Sequence, residues 1–168
     1  MYYFSYGSNM SRKRIQARVP SAEFIVVATL AKHELRFHKI GKDGSAKCDA
    51  THTGDAEHII IGVVYDICET QKPTLDQIEG LGRGYEEKIV TIVTDEGDHH
   101  EAITYYATHI DPKRQPFDWY KEHVIRGTRE YDFPQHYVKA IDSIESVDDP
   151  DSGRHEEEMG IYLESIST

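Results

Sequence analysis

Tyr3-Phe4-Ser5-Tyr6-Gly7-Ser8-Asn9-Met10, close to the first residue, is the stretch around which the chain is organised. Residues 2–6 are aromatic and β-prone and read as a short strand. Gly7-Ser8-Asn9 breaks that strand, and residues 11–18 are good helix formers. A strand, a tight polar turn and a helix start leave N–H groups pointing outward with partial positive charge. A carboxylate or phosphate fits such a turn. Gly7 permits positive φ and a close ligand approach. The octamer also reads as an ordinary capped turn, with Asn9 or Ser11 as N-cap. A second stretch, Leu75-Asp76-Gln77-Ile78-Glu79-Gly80, shifts the balance.

Between the two stretches the chain reads as strands. Residues 23–30 are apolar, and 34–40 alternate, with Leu35 and Phe37 on one face and Arg36 and His38 on the other. Residues 46–51 suit a short edge strand. Residues 58–67 form the most apolar run and read as a central strand covered on both faces, with Gly62 marking a bulge or bend. Pro73 suits the first turn of a short helix that Gly80, Gly82 and Gly84 end.

Beyond it, residues 86–94 and 100–107 form a hairpin around Asp95-Glu96-Gly97-Asp98. Apolar residues at both parities, Ile89 and Val93 against Val90 and Ile92, predict a first hairpin strand buried on both faces. Pro116 opens a helix with Phe117, Tyr120, Val124 and Ile125 on one stripe, ended or weakened at Gly127. Pro134 opens another, with Tyr137, Val138, Ile141 and Ile144 inward. Residues 146–158 are acidic and turn-rich, and 159–168 are mildly apolar, suited to docking on the body or on a partner. The sum is an α+β single domain. It has a barrel-like mixed β-sheet of six to seven strands, flanking helices and two C-terminal helices. The domain spans residues 1–148, and 149–168 form an acidic tail with no assigned role.

With 168 residues, 38% hydrophobic and 29% charged, the chain can bury one core. A formal net charge of −11 argues against nucleic acid, whose phosphates need a basic face, and against an anionic membrane surface. Cys48 and Cys68 have no CxxC spacing and read as two reduced thiols of a cytosolic protein. No apolar run reaches a membrane span, and the N-terminus enters a strand at once, without a signal peptide. The ten histidines have no strong metal-site spacing; His99-His100 reads as a solvated turn, and Glu156-Glu157-Glu158 as a solvated face.

The chemistry points to Glu79. At about 100° per residue, Leu75, Ile78 and Glu79 share the apolar sector of the short helix, while Asp76 and Gln77 face away. A carboxylate there is costly unless paired or protonated. The negative end of the helix dipole also disfavours its ionised form, so both effects raise its pKa. A Glu tuned upward suits general acid–base chemistry at neutral pH. The structural alternative is a pair with Arg83, Arg36 or another base.

The octamer, then Leu75 to Gly80, then Gly84-Tyr85, together resemble the γ-glutamylcyclotransferase family within the AIG2-like superfamily. Arg14-Ile15, Pro20-Ser21-Ala22, Gly62-Val63-Val64-Tyr65, Thr104-Tyr105 and Tyr120-Lys121 with Gly127 fall in family order, over roughly residues 2–148. The resemblance implies a reaction without water, metal, nucleotide or other cofactor. The substrate's α-amine attacks its own γ-carbonyl and releases 5-oxoproline with an amino acid or amine. It implies Glu79 as general base and then acid. It also implies a substrate site lined by Tyr3, Phe4, Ser5, Tyr6, Gly7, Ser8 and Asn9, with Tyr105 and Tyr120 beside it. Tyr120 is the better candidate contact, its alternative being core packing beside Val124.

The implied partner is a small γ-glutamyl compound, in a cytoplasmic protein, with room for a homodimer. Glu86-Glu87 adds negative charge near the cavity, which either tunes Glu79 further or disfavours an acidic leaving group. The rival reading is a binding protein of the same fold that holds a γ-glutamyl or amino-acid ligand without converting it.

Overall fold

A computed structural model describes residues 1–163. Among the described residues seven strands form, β1 Tyr2–Ser5, β2 Glu23–Ala31, β3 His33–Ile40, β4 Ala46–His52, β5 Ile59–Asp66, β6 Tyr85–Thr94 and β7 His99–Ala107. Five α-helices accompany them, α1 Arg12–Arg18, α2 Lys72–Glu79, α3 Asp118–Glu130, α4 Gln135–Asp142 and α5 Ser152–Gly160. Five of the strands close into a barrel in the order β1-β5-β2-β6-β7. The pairs are antiparallel except at the closure, where β1 meets β7 in parallel through Tyr3 and Ile103. β3 and β4 form a separate antiparallel hairpin that leans on β5 and β7. The α+β single domain is therefore mixed, as its sequence suggests, with two of its seven strands outside the barrel.

β5 is the central strand, paired to β1 on one side and β2 on the other. Its register runs unbroken through Gly62, so no bulge forms there; the irregularity lies between Phe24 and Val26. Gly62 serves close approach instead. A Cβ on it would meet the Phe4 ring at 2.5 Å and the Ser5 carbonyl at 2.6 Å.

β6 is one-sided. Val90 and Ile92 enter the core while Ile89 is 69% exposed, so the expectation of burial on both faces fails. The β6–β7 hairpin has the barrel core on one face and solvent on the other, a division that apolar residues alone do not reveal.

α3 runs through Gly127 without ending there. Gly127 lets α3 cross the turn after β1, where an added Cβ would lie 2.5 Å from Met10 Cβ and 2.8 Å from Ser11 N. Among the described residues three helices follow β7 rather than two. The third, α5, forms inside the acidic stretch, capped by Asp151 accepting from the Arg154 N–H. Asp149 is buried and accepts from Trp119 Nε1 at 2.8 Å and from Arg154. Glu158 reaches Arg14 and His123 of the body. The segment beyond residue 148 is thus packed on α1 and α3; residues 164–168 of the mildly apolar end lie outside the described residues. Among the described residues no helix is long and apolar enough to cross a membrane.

Candidate active site

The octamer folds as a strand, a turn and a helix start. β1 ends at Ser5, a short 3-10 turn covers Ser8–Met10, and α1 follows. Gly7 keeps a negative φ of −118°, so left-handed freedom is not what it contributes. An added Cβ would lie 3.0 Å from Cys48 Cβ and 3.4 Å from the Tyr120 hydroxyl, a tight fit that would press on these walls. Ser11 is the N-cap of α1 without a capping side-chain bond, and Asn9 is spent elsewhere. The N–H groups of Gly7, Ser8 and Asn9 find no acceptor among the described residues.

α2 delivers the carboxyl. Pro73 sets its first turn, Leu75 is fully buried, and Gly80 stops the helix at φ 77°. The N–H groups of Gly80 and Leu81 both return to the Asp76 carbonyl at 2.9 Å. Glu79 is the last helical residue and turns into a small cavity of about 30 Å³ at the end of β1. No basic side chain pairs with it among the described residues, so the pairing with Arg83 or Arg36 does not occur. Its partner is Asn9, whose Nδ2 donates to Oε1 at 2.5 Å. Burial pushes the Glu79 carboxyl above its ordinary range, and Arg18, Arg14, the Asn9 bond and Lys39 oppose this without cancelling it.

Tyr3, Ser5, Tyr6, Gly7, Ser8, Asn9, Tyr105 and Tyr120 line this cavity with Glu79. Phe4, expected among them, does not. Side chains of a strand alternate, so Tyr3 and Ser5 face the cavity while the Phe4 ring packs on Gly62 in the core. Ser5 Oγ is buried beside the Tyr3 phenol and makes no hydrogen bond of normal geometry among the described residues. Burial pushes the phenols of Tyr3, Tyr6, Tyr85, Tyr105 and Tyr120 upward, so they remain neutral donors or acceptors. It also pushes the Cys48 thiol up to about 12, unsuited to nucleophilic attack. Glu79 is the carboxyl of this cavity, and its proton affinity is raised by burial.

The AIG2-like family matches residues 59–141. A γ-glutamylcyclotransferase of Bos taurus is 33% identical over 153 residues, spanning 87% of this chain and 79% of that protein. The chain belongs to the γ-glutamylcyclotransferase family. The γ-glutamylcyclotransferase of Homo sapiens is 31% identical over 153 residues, with the same coverage of 87% and 79%. A solved γ-glutamyl cyclotransferase superimposes with a TM-score of 0.85 at 26% identity, over 97% of this chain and 98% of its own. Membership makes the chain a cyclotransferase-type enzyme and displaces the binding-protein alternative.

Sequence reasoning missed two walls of this cyclotransferase cavity as site residues, Cys48 and Tyr85. Tyr85 stood in the quoted Gly84-Tyr85 pair, which was a usable signal; its hydroxyl donates to the Cys48 carbonyl. Cys48 had none, because β4 reaches the site only by tertiary packing. Its N–H donates to the Tyr120 hydroxyl at 2.9 Å, which holds the Tyr120 oxygen on β4 beside Gly7. Asp76, expected to face away, accepts from the Tyr105 hydroxyl at 2.6 Å and pairs with Lys72.

A second, larger cleft of about 280 Å³ opens from the first, sharing Ser8, Glu79, Tyr85 and Tyr120 with it. Its walls carry Arg18, Lys39, Lys42 and Arg83. Glu86 and Glu87 do not line it; both are exposed, and Glu87 pairs with Lys72. The negative charge expected near the cavity is therefore turned to solvent. Among the described residues no cluster of His, Cys, Asp and Glu is placed to hold a metal ion.

Proposed function

We propose that the enzyme takes a γ-glutamyl compound and closes its α-amine onto its own γ-carbonyl. The products are 5-oxoproline and a free amino acid or amine. The observation that carries this reading is Glu79, a carboxyl held in a narrow cavity, raised by burial and free of any ion pair among the described residues. Glu79 accepts a proton from the substrate α-ammonium. The freed nitrogen lone pair attacks the γ-carbon, and the carbonyl π electrons move onto oxygen. The ring nitrogen gives up a second proton as it bonds to the γ-carbon; when the tetrahedral carbon collapses, the carbonyl re-forms, the bond to the departing nitrogen breaks, and that nitrogen takes up both protons, relayed by Glu79, and leaves as an ammonium. No water is consumed. Because nucleophile and electrophile belong to one molecule, a cavity that holds them folded together supplies much of the acceleration.

The Ser5 hydroxyl and the N–H groups of Gly7, Ser8 and Asn9 supply donors for the α-carboxylate and for oxyanion charge on the γ-carbonyl. Tyr3, Tyr6, Tyr105 and Tyr120 wall the glutamyl part.

The test measures 5-oxoproline release from γ-glutamyl-alanine, γ-glutamyl-lysine and glutathione, with Glu79→Gln in parallel. Release by the wild type and a loss of roughly 10²–10⁴-fold in the variant are expected. A folded Glu79→Gln enzyme with the wild-type rate overturns the assignment.

A further inference from the structure

The outer cleft carries information about the leaving group, an inference resting on the cyclotransferase reading of the inner cavity. The chain has a formal net charge of −11, yet this cleft is cationic. Three of its basic residues are already neutralised, Arg14 by Glu158, Lys47 by Asp43 and Arg154 by Asp149. Arg18, Lys39, Lys42 and Arg83 have no carboxylate in ion-pair contact among the described residues. Arg18 reaches only the amide oxygen of Asn9, at 3.2 Å. Lys39 is 6% exposed, and its ammonium lies 4.5 Å from the centre of the Tyr85 ring. Lys42 and Arg83 are exposed at the outer wall.

An ammonium as enclosed as that of Lys39 is costly without a counter-ion. Four like charges around one cleft also repel one another. An anion entering the cleft relieves both.

The cleft meets the inner cavity at Ser8, Glu79, Tyr85 and Tyr120. A substrate with its glutamyl part inside passes its departing nitrogen beside Glu79 and lays the rest of the leaving group among these cations. An ordinary amino acid brings one carboxylate, which answers Lys39 and Arg18 next to the cavity. Lys42 and Arg83 would then face no anion. We propose that the enzyme prefers leaving groups with two carboxylates, the γ-glutamyl derivatives of glutamate and aspartate, over neutral isosteres, with Lys42 and Arg83 reading the second carboxylate.

The test compares kcat/KM for 5-oxoproline release from γ-glutamyl-glutamate and γ-glutamyl-glutamine, and from the aspartate and asparagine pair, at low and high salt. The acidic member is expected to be favoured roughly ten-fold at low ionic strength, and less at high salt, because exposed charges are screened. The double variant Lys42→Gln/Arg83→Gln, checked for an unchanged melting temperature, is expected to move the ratio toward one by depressing the acidic substrates more than the amides. Release from both members with a ratio of one or below overturns this inference and leaves the cyclotransferase reading standing. A preference that survives in the double variant overturns the roles of Lys42 and Arg83. No release from any of the four while γ-glutamyl-alanine, γ-glutamyl-lysine or glutathione is turned over overturns this inference alone; no release from any of the seven overturns the cyclotransferase reading and this inference with it.

Discussion

Asn9 and Glu79, separated by 70 positions in sequence, meet in the cavity, where Asn9 Nδ2 donates to Glu79 Oε1 at 2.5 Å. The other end of the same amide accepts from Arg18 Nη1 at 3.2 Å. Asn9 therefore fixes the carboxyl and polarises it toward a guanidinium. Donation to the ionised carboxylate opposes the upward push of burial.

Replacing Asn9 by Leu removes that donor while keeping the volume. The ionised form of Glu79 loses stabilisation, so its pKa rises further. The acid limb of kcat/KM is expected to move to higher pH, with a fall in rate of at least about ten-fold, since a bond to a charged group contributes about 1.5–3 kcal/mol. An acid limb that stays in place would show that the contact orients without tuning.

Gly127 packs on the chain just after the octamer. A Cβ there would lie 2.5 Å from Met10 Cβ, 2.8 Å from Ser11 N and 2.9 Å from Met10 C. These atoms belong to or adjoin the backbone and cannot swing aside. Gly127→Ala is expected to cost about 1–3 kcal/mol through overpacking, despite the better helix propensity of Ala. Because the displaced segment continues the cavity turn, kcat should fall below the unfolding temperature as well. Thermal melts and initial rates at low temperature separate the two effects.

Tyr105 spends its hydroxyl on Asp76 at 2.6 Å, and its ring lines the cavity. Tyr105→Phe keeps the ring and removes the bond. A stability loss of about 1–2 kcal/mol is expected, with kcat and KM within a few-fold of wild type. A large rise in KM would instead place the hydroxyl on the substrate.

The contact between α5 and the body titrates. His123 is fully buried, and burial pushes it down to about 4, so it is neutral when folded; its neighbours are Arg14, Glu158, Tyr162 and the Trp119 ring. Its ordinary value is about 6.5, so the unfolded chain takes the proton first. The stability it contributes is complete above pH 6.5 and is lost as the pH falls toward 4. Burial opposes ionisation of Glu158, but the His123 hydrogen bond and Arg14 hold it down to about 2. Its contribution is present above the ordinary carboxylate value and is lost as the pH falls from there toward 2. The melting temperature is expected to decline in two stages below pH 6.5. Glu158→Gln should shrink the second stage, to which Asp149 and Asp43, also held low by their partners, still contribute, and cost about 3 kcal/mol at neutral pH by leaving Arg14 without its counter-ion. A melting temperature flat between pH 6.5 and 4 would contradict the role of His123.

Sequence alone determined the parts whose cause is local. Aromatic residues before Gly7-Ser8-Asn9 produce a strand and a turn. Pro73 and Gly80 bracket a helix that leaves Glu79 on its last turn and on its apolar face. Unbroken apolarity marks β5 as central, and Asp95 to Asp98 mark a hairpin. Tertiary structure decided what depends on closure and register. The meeting of Tyr3 with Ile103 closes the barrel, and strand alternation then turns Phe4 away from the site and Ser5 toward it. Packing of the separate β3–β4 hairpin on the barrel brings Cys48 to the cavity and Lys39 to the outer cleft, although nothing in their neighbourhoods predicts it. Docking of α5 places Glu158 on Arg14 across 144 positions. Propensity and periodicity act over a few residues, whereas these contacts exist only once the twist of the sheet has set which strands meet and which faces they share.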